Sequence, residues 1–320
     1  ALDFDVYNRK IKDFILNQQV DVAVFGVDRR FQNAGQVTSS GWEFKAEYDV
    51  IKNDKLSYET GLILYNNKVV LDEFSNDVAQ YGFLGSPGQN AVTMVRVKVG
   101  DKLGNIYGPV FQGVNADGSP KFEDVTGDGT LNTDSGNVLQ DDYDGRVLGT
   151  AYPTLEMSWS NVVEFGDGWT LNAFFRGAFG HSLINTFRAF YEPNVPSQTS
   201  YNQMNTSLRE PNLAVAQYSS LYVEKADFFL LDNLTLSKEI KLPEGSGIKD
   251  LTVSLNALRP FVLTSYTGTD PSPELFDALG GGEEGVAAGS DGAALLAPGI
   301  DRRQDYFASK TFSIGLSVNF

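Results

Sequence analysis

The nine residues Phe312-Ser313-Ile314-Gly315-Leu316-Ser317-Val318-Asn319-Phe320 alternate without a miss between apolar and small or polar side chains. A β-strand turns successive side chains to opposite faces, so Phe312, Ile314, Leu316, Val318 and Phe320 share one side while Ser313, Ser317 and Asn319 share the other. Such a strand has two homes. In a soluble sheet a core covers the apolar side; in an outer-membrane β-barrel that side meets lipid and the polar side lines a lumen. An aromatic at the last position fits the closing strand of a barrel.

The same rhythm recurs upstream. Trp42, Phe44, Ala46, Tyr48 and Val50 alternate with Glu43, Lys45, Glu47 and Asp49. Leu155, Met157, Trp159, Val163 and Phe165 alternate with Glu156, Ser158, Ser160 and Glu164, with a break of phase at Asn161 and Val162. Trp169, Leu171, Ala173, Phe175 and Phe179 oppose Thr170, Asn172 and Arg176, and Leu251, Val253, Leu255 and Ala257 oppose Thr252, Ser254 and Asn256. A slip of one residue would carry each polar set onto the apolar side, so the pattern fixes pairing. It predicts strands at 2–10, 12–18, 42–52, 56–66, 92–99, 155–165, 169–180, 228–239, 251–258 and 311–320. Asn53-Asp54 and Gly166-Asp167-Gly168 predict tight hairpins. The connections 101–152, 192–220 and 268–309 carry Gly, Pro, Asn, Asp and Ser without a sustained period, and compact soluble domains seldom hold several loops of that length. Short turns at one end with long loops at the other are the habit of outer-membrane barrels.

With 320 residues the chain is long enough for a large β domain. Its formal net charge of −16 excludes general nucleic-acid binding and gives an acidic cavity suited to neutral or cationic solutes. There is no cysteine, which excludes disulfides and thiolate chemistry. No run approaches the roughly 18 to 20 apolar residues of a spanning helix, an absence that leaves spanning strands open. The opening Ala1-Leu2-Asp3-Phe4 is already in strand rhythm, so a mature or internal starting point is expected.

Few patterns point to chemistry. Asp124, Thr126, Asp128, Thr130, Asn132 and Asp134 place oxygen side chains at alternate positions around Gly129, the arrangement of a calcium-binding loop. An Asp/Gly turn closed by side-chain-to-backbone bonds explains the same residues without an ion. The single histidine, His181, has no Gly-x-Ser-x-Gly nucleophile elbow to serve and is expected at a strand end near the membrane boundary. No catalytic residue is assigned. Trp42, Trp159 and Trp169 share the apolar parity of their strands and are expected in an aromatic girdle. Tyr191, Tyr201 and Tyr266, in loops, are the aromatics free to meet a solute, and Arg176 falls on the lumenal parity with Asn172 and Thr170. The Gly- and acid-rich stretch 279–292 reads as a flexible loop; its triple glycine lacks the Lys and Ser or Thr of a phosphate-binding loop.

Three ordered segments carry a resemblance. They are Phe122-Glu-Asp-Val-Thr-Gly-Asp-Gly-Thr-Leu-Asn132, then Ser220-Leu-Tyr-Val-Glu-Lys-Ala-Asp-Phe-Phe-Leu-Leu-Asp-Asn-Leu-Thr-Leu-Ser237, then the strand from Leu251 that runs into Tyr266-Thr267-Gly268-Thr269-Asp270-Pro271. Together with the aromatic-terminated last strand they resemble the C-terminal part of SusC-like TonB-dependent transporters, outer-membrane importers of Bacteroidetes. Thr126 and the Asn256-Ala-Leu-Arg-Pro260 segment depart from that family's usual residues. The resemblance implies an all-β, antiparallel transmembrane barrel with long extracellular loops, of which residues 1–320 form the C-terminal portion. Barrels of this kind have about 22 strands around a plug, and the predicted strands number near half of that, so plug and TonB-contact segment are expected outside this chain. It further implies import of glycan or peptide fragments without enzymatic chemistry, a SusD-like surface lipoprotein as partner, TonB acting through the plug, and a wall in contact with outer-membrane lipid of a Gram-negative bacterium.

Two rival readings remain at this stage. A secreted or surface-attached carbohydrate-binding β-sandwich explains alternation and acidity but leaves the ordered motifs to chance; a secreted hydrolase would require a carboxylate pair that spacing alone does not identify.

Overall fold

The computed structural model describes residues 1–19, 21–27, 29–75, 78–87, 89–134, 138–195, 202–243, 247–272, 296–303 and 307–320. The glycine-rich stretch 279–292 and Tyr201 lie outside the described residues. Three long strands come first, β1 (Leu2–Gln19), β2 (Arg29–Asn53) and β3 (Leu56–Phe74), with a single helical turn α1 (Val22–Phe25) between the first two. Six shorter strands follow: β4 (Val78–Ser86), β5 (Gln89–Lys98), β6 (Asn105–Gly108), β7 (Phe111–Val114), β8 (Pro120–Phe122) and β9 (Arg146–Thr150). The chain then returns to long strands with β10 (Leu155–Phe165) and β11 (Trp169–Phe179), and makes β12 (Ser182–Asn185), α2 (Thr186–Tyr191) and β13 (Val223–Lys225). It ends with β14 (Phe228–Lys241), β15 (Asp250–Thr264), β16 (Ile300–Asp301) and β17 (Thr311–Asn319).

Eight of these strands form one antiparallel sheet in the order β1-β2-β3-β10-β11-β14-β15-β17. Pairing carries a row of side chains straight across it: Phe4, Phe44, Leu64, Met157, Gly177, Phe229 and Leu263 lie in one line. The next row, on the other face, is Asp5, Glu43, Tyr65, Glu156, Ala178, Phe228 and Thr264. The alternation of single strands has become an apolar face and a polar face of a whole wall. Among the described residues no second layer covers the apolar face: Phe312, Ile314 and Leu316 are 71%, 79% and 69% exposed. A sandwich would have buried these side chains, and that reading is corrected accordingly. The outer edges of β1 and β17 have no strand partner among the described residues.

The eleven residues of β10 set the height of the wall, since about 9 to 11 residues tilted by roughly 45° span a bilayer. Trp169 pairs with Phe165 at its lower end, and its ring lies 5.5 Å under the Lys238 ammonium. Trp42, two residues beyond the row of Met157, stands level with its upper end. Those two hold girdle positions. Trp159 does not: it is mid-strand, stacked on Phe175 at 5.0 Å. Lipid offers its indole N–H nothing, and the protein supplies Thr60 Oγ1 at 2.9 Å. Thr60 and Tyr58 in turn donate to Asn161 Oδ1 at 3.1 and 2.8 Å. Asn161, which broke the phase of its strand, therefore anchors a polar knot on the apolar face.

Several expected strands run further than their alternation. The segments 2–10 and 12–18 are one strand, kinked by a bulge at Asp13, whose φ of 55° is the left-handed region. β15 continues past 258 because a second bulge, with Arg259 at φ 49°, takes up Pro260, which has no N–H to give to a ladder.

The connections expected to be long loops fold together at the long-loop end. β4-β5-β6-β9 make one small sheet, β13-β12-β16 another, and β7-β8 a hairpin. Between them lies a shared core of Leu84, Val92, Met94, Ile106, Ile184, Ala189, Tyr218, Tyr222 and Ile300. A second cluster, with Val37, Leu71, Phe74, Val97 and Leu103, joins this body to the upper ends of β2 and β3. The segment 101–152 is thus part of a packed layer, and its lack of period reflects short strands rather than loose chain.

Candidate functional site

The polar face of the large sheet is acidic. Asp3, Asp5, Glu43, Glu47, Glu59, Glu156 and Glu164 share it with Lys45 and Arg176. Arg176 forks onto Asp232, with Nε to Oδ2 at 2.9 Å and a second N–H to Oδ1 at 3.2 Å. The bulge in β14 places Asp232 there, because it removes this one residue from the β11 ladder. Arg176 is therefore a lumenal guanidinium already held by a carboxylate.

Above the sheet, the turn Tyr266-Thr267-Gly268-Thr269-Asp270-Pro271 fastens the body to the barrel, and each position has a task. Tyr266 is buried and its hydroxyl donates to Asp301 Oδ2 at 2.6 Å. That corrects the expectation of a ring free to meet a solute. A Cβ on Gly268 would lie 2.3 Å from that same carboxylate oxygen and from the Tyr266 hydroxyl, so no larger residue fits. Thr269 N–H donates to Asp301 Oδ2 as well. Asp270 pairs with Arg259 at 2.9 Å; burial pushes its carboxyl up, but Arg259 and Ser272 outweigh burial and hold it below the usual range. The Pro271 carbonyl meets His181 Nε2 at 2.8 Å. His181 follows β11 as expected but is buried, and burial lowers its pKa despite that bond.

Tyr191 closes α2, half-buried, with its ring 4.8 Å from both Phe187 and Phe190. Tyr191, Tyr266 and Arg176 do not converge on one another in any contact, and Tyr201 is outside the described residues.

The acidic loop is closed by its own amides. Asp124 Oδ1 accepts from Gly127 N–H at 2.6 Å and Oδ2 from Gly129 N–H at 2.9 Å, while Asp128 Oδ1 accepts from Thr130 N–H at 2.7 Å. Asp144, fully buried, accepts from Thr126 N–H and Asn132 N–H at 3.0 and 2.8 Å. Burial opposes its charge, but those amides and the Thr126 hydroxyl hold its carboxyl below the usual range. Among the described residues no three carboxylate or histidine groups gather to hold a metal ion. The geometry fits the amide-bonded turn, with Asp144 as its organiser: the sequence places Asp144 beside Asp141 and Asp142 as a solvated acidic residue, and the fold buries it against the loop amides instead.

Sequence reasoning also missed Arg188. It lies on α2, whose N-cap Asn185 accepts from Arg188 N–H at 3.0 Å. Its guanidinium donates to Glu192 at 2.9 Å, Glu224 at 2.8 Å, and the Leu221 and Leu208 carbonyls at 3.1 and 3.2 Å. Burial lowers its pKa, and the two carboxylates more than reverse that. The only signal in the chain was the i,i+4 spacing of Arg188 and Glu192, which without the fold reads as an exposed helix pair.

No family model matches the chain. It is 24% identical over 296 residues to TonB-dependent receptor P3 of Formosa agariphila, covering 84% of this chain and 28% of that protein. It is 21% identical to TonB-dependent receptor P26 of the same organism, covering 99% of this chain and 32% of that protein. The chain thus spans less than a third of the curated relatives it matches. Among solved structures it is similar to the RagAB peptide importer in the closed-closed state, with a TM-score of 0.73 and 18% identity over all of this chain and 33% of that one. The open-open state of the same importer gives a TM-score of 0.67 at 17% identity. These matches bear out the resemblance read from the ordered motifs: the sheet has the fold of an outer-membrane β-barrel wall, and the chain is similar over most of its length to TonB-dependent receptors.

Proposed function

We propose that this barrel segment is the C-terminal portion of a nutrient importer that carries glycan or peptide fragments across the outer membrane. The observation that carries the reading is the two-faced sheet with open edges. Its apolar face is exposed over the height of a bilayer, its other face is acidic, and the outer edges of β1 and β17 have no strand partner among the described residues. Lipid does not tolerate unpaired edges, so further strands of the same barrel close them. The plug and the TonB-contact segment belong to that remainder. TonB supplies the energy from the periplasm, and a SusD-like lipoprotein covers the packed body at the opposite end. The acidic lumen selects against anionic solutes and favours neutral and cationic ones.

This chain contributes wall, lumen lining and platform. No step of covalent chemistry is assigned to it. The test is uptake by cells that hold the full-length protein in their outer membrane. Deletion of the protein is expected to abolish uptake of labelled oligopeptides or oligosaccharides, and disruption of TonB to do the same. Uptake unchanged by both deletions, or recovery of the protein in a detergent-free soluble fraction, overturns the reading.

A further inference from the structure

α2, the segment 204–208 and the turn 267–269 enclose a cavity of about 250 Å³, with Phe187, Met204, Leu208 and Phe307 as its apolar walls. Pockets for whole drug-sized ligands begin at roughly 300 Å³, so this one has room for a single side chain and its backbone. Glu192 lines it and is 3% exposed. Its Oε1 accepts from Arg188 Nε and from the Thr206 hydroxyl. Its Oε2 has no hydrogen-bond partner among the described residues. Glu224 is by contrast fully engaged, accepting from Arg188, Asn185 and Thr267. One guanidinium thus faces two carboxylates, Glu192 buried and Glu224 partly exposed, and the cluster holds one negative charge more than Arg188 neutralises beside an apolar slot. A buried carboxylate with an open oxygen calls for a cationic donor.

We propose that this cavity binds the first residue of a peptide, its apolar side chain against Phe187, Met204 and Leu208 and its free α-ammonium on Glu192 Oε2. A sugar offers hydroxyls and no cation, so the site separates peptides from glycans. The inference rests on the import reading and narrows its substrate class. It places the recognition in the packed body, ahead of the lumen.

Calorimetry on the full-length protein in detergent tests it with Leu-Ala-Ala and its N-acetylated form. The free peptide is expected to bind at least about tenfold tighter, as loss of a charge-assisted bond implies. Glu192→Gln is expected to remove that preference. Ser207→Trp, at the exposed rim of the cavity, is expected to weaken the free peptide without touching the buried cluster, which covers the case in which the Gln variant fails to fold. Equal affinity of the two peptides, binding of neither, or a preference that survives both substitutions overturns the inference. Cell uptake separates the two levels: peptide import with no preference for a free amino terminus leaves the importer standing and removes the site, whereas no uptake of any labelled solute removes the importer.

Discussion

His181 and the turn from Tyr266 to Pro271 are where single residues decide most. The Tyr-x-Gly-x-Asp-Pro order was legible as a resemblance, but its meaning lay in partners 30 to 90 positions away: Asp301 for Tyr266 and Thr269, and His181 for Pro271. His181 donates through Nε2, and its buried Nδ1 has no partner. Its folded pKa lies below the ordinary value of 6.5 because burial disfavours the charged ring. The unfolded chain therefore takes up the proton first, and stability present above about pH 6.5 is lost as pH falls toward the folded pKa. Asp270 and Asp144 are shifted below the usual carboxylate range and stay charged through that window. The thermal stability of the barrel-supported body is expected to fall as pH drops below about 6.5, at no more than about 1.4 kcal/mol per pH unit, and His181→Gln is expected to flatten that slope. An identical slope in the variant would assign the effect to another group.

Among elements, β15 and β17 test the wall directly. Leu255 pairs with Ile314 and with Leu236, and Asn256 pairs with Ser313 and with Thr235. Neighbouring residues of one strand thus meet hydrocarbon and lumen. Ile314→Arg is expected to cost about 2 to 4 kcal/mol, and Ser313→Arg near nothing, because only the first drives a cation into the apolar band. Urea unfolding in lipid vesicles, read by heat-modifiable migration, measures both; equal costs would mean that the two faces share one solvent. The alternation that makes this prediction was complete in the sequence. What it did not reveal were the bulges at Asp232 and Arg259, which interrupt the period to place one charge on Arg176 and the other on Asp270. A bulge is chosen by the partner it reaches, and that partner lies on another strand.

As a molecule the chain is a wall with a folded body on its rim. Ile184 sits at the centre of that body, fully buried beside Met94, Ile106, Tyr222 and Ile300. Ile184→Ala is expected to cost about 2 to 5 kcal/mol, felt in the body alone, since the wall is supported by its own ladders and by lipid. Limited proteolysis on intact cells is the measurement: cleavage within 182–226 should rise while the barrel keeps its heat-modifiable migration. Concerted loss of both would make wall and body one cooperative unit. The calcium-loop pattern belongs to this scale too. Its oxygen spacing was visible in the sequence, but the buried carboxylate that organises it, Asp144, comes from twelve or more residues further along the chain.

The sequence by itself determined the two-faced strands of the wall: a period of two residues is a property of one strand, so which residues share its apolar side and which its polar side can be read without a neighbour. Only the tertiary structure decided what the long connections do. Their strands are too short for a period, and their core, the Arg188 cluster and the Glu192 cavity are each assembled from segments far apart in the chain. Burial makes those contacts matter, and burial is a property of the assembled fold rather than of any one segment.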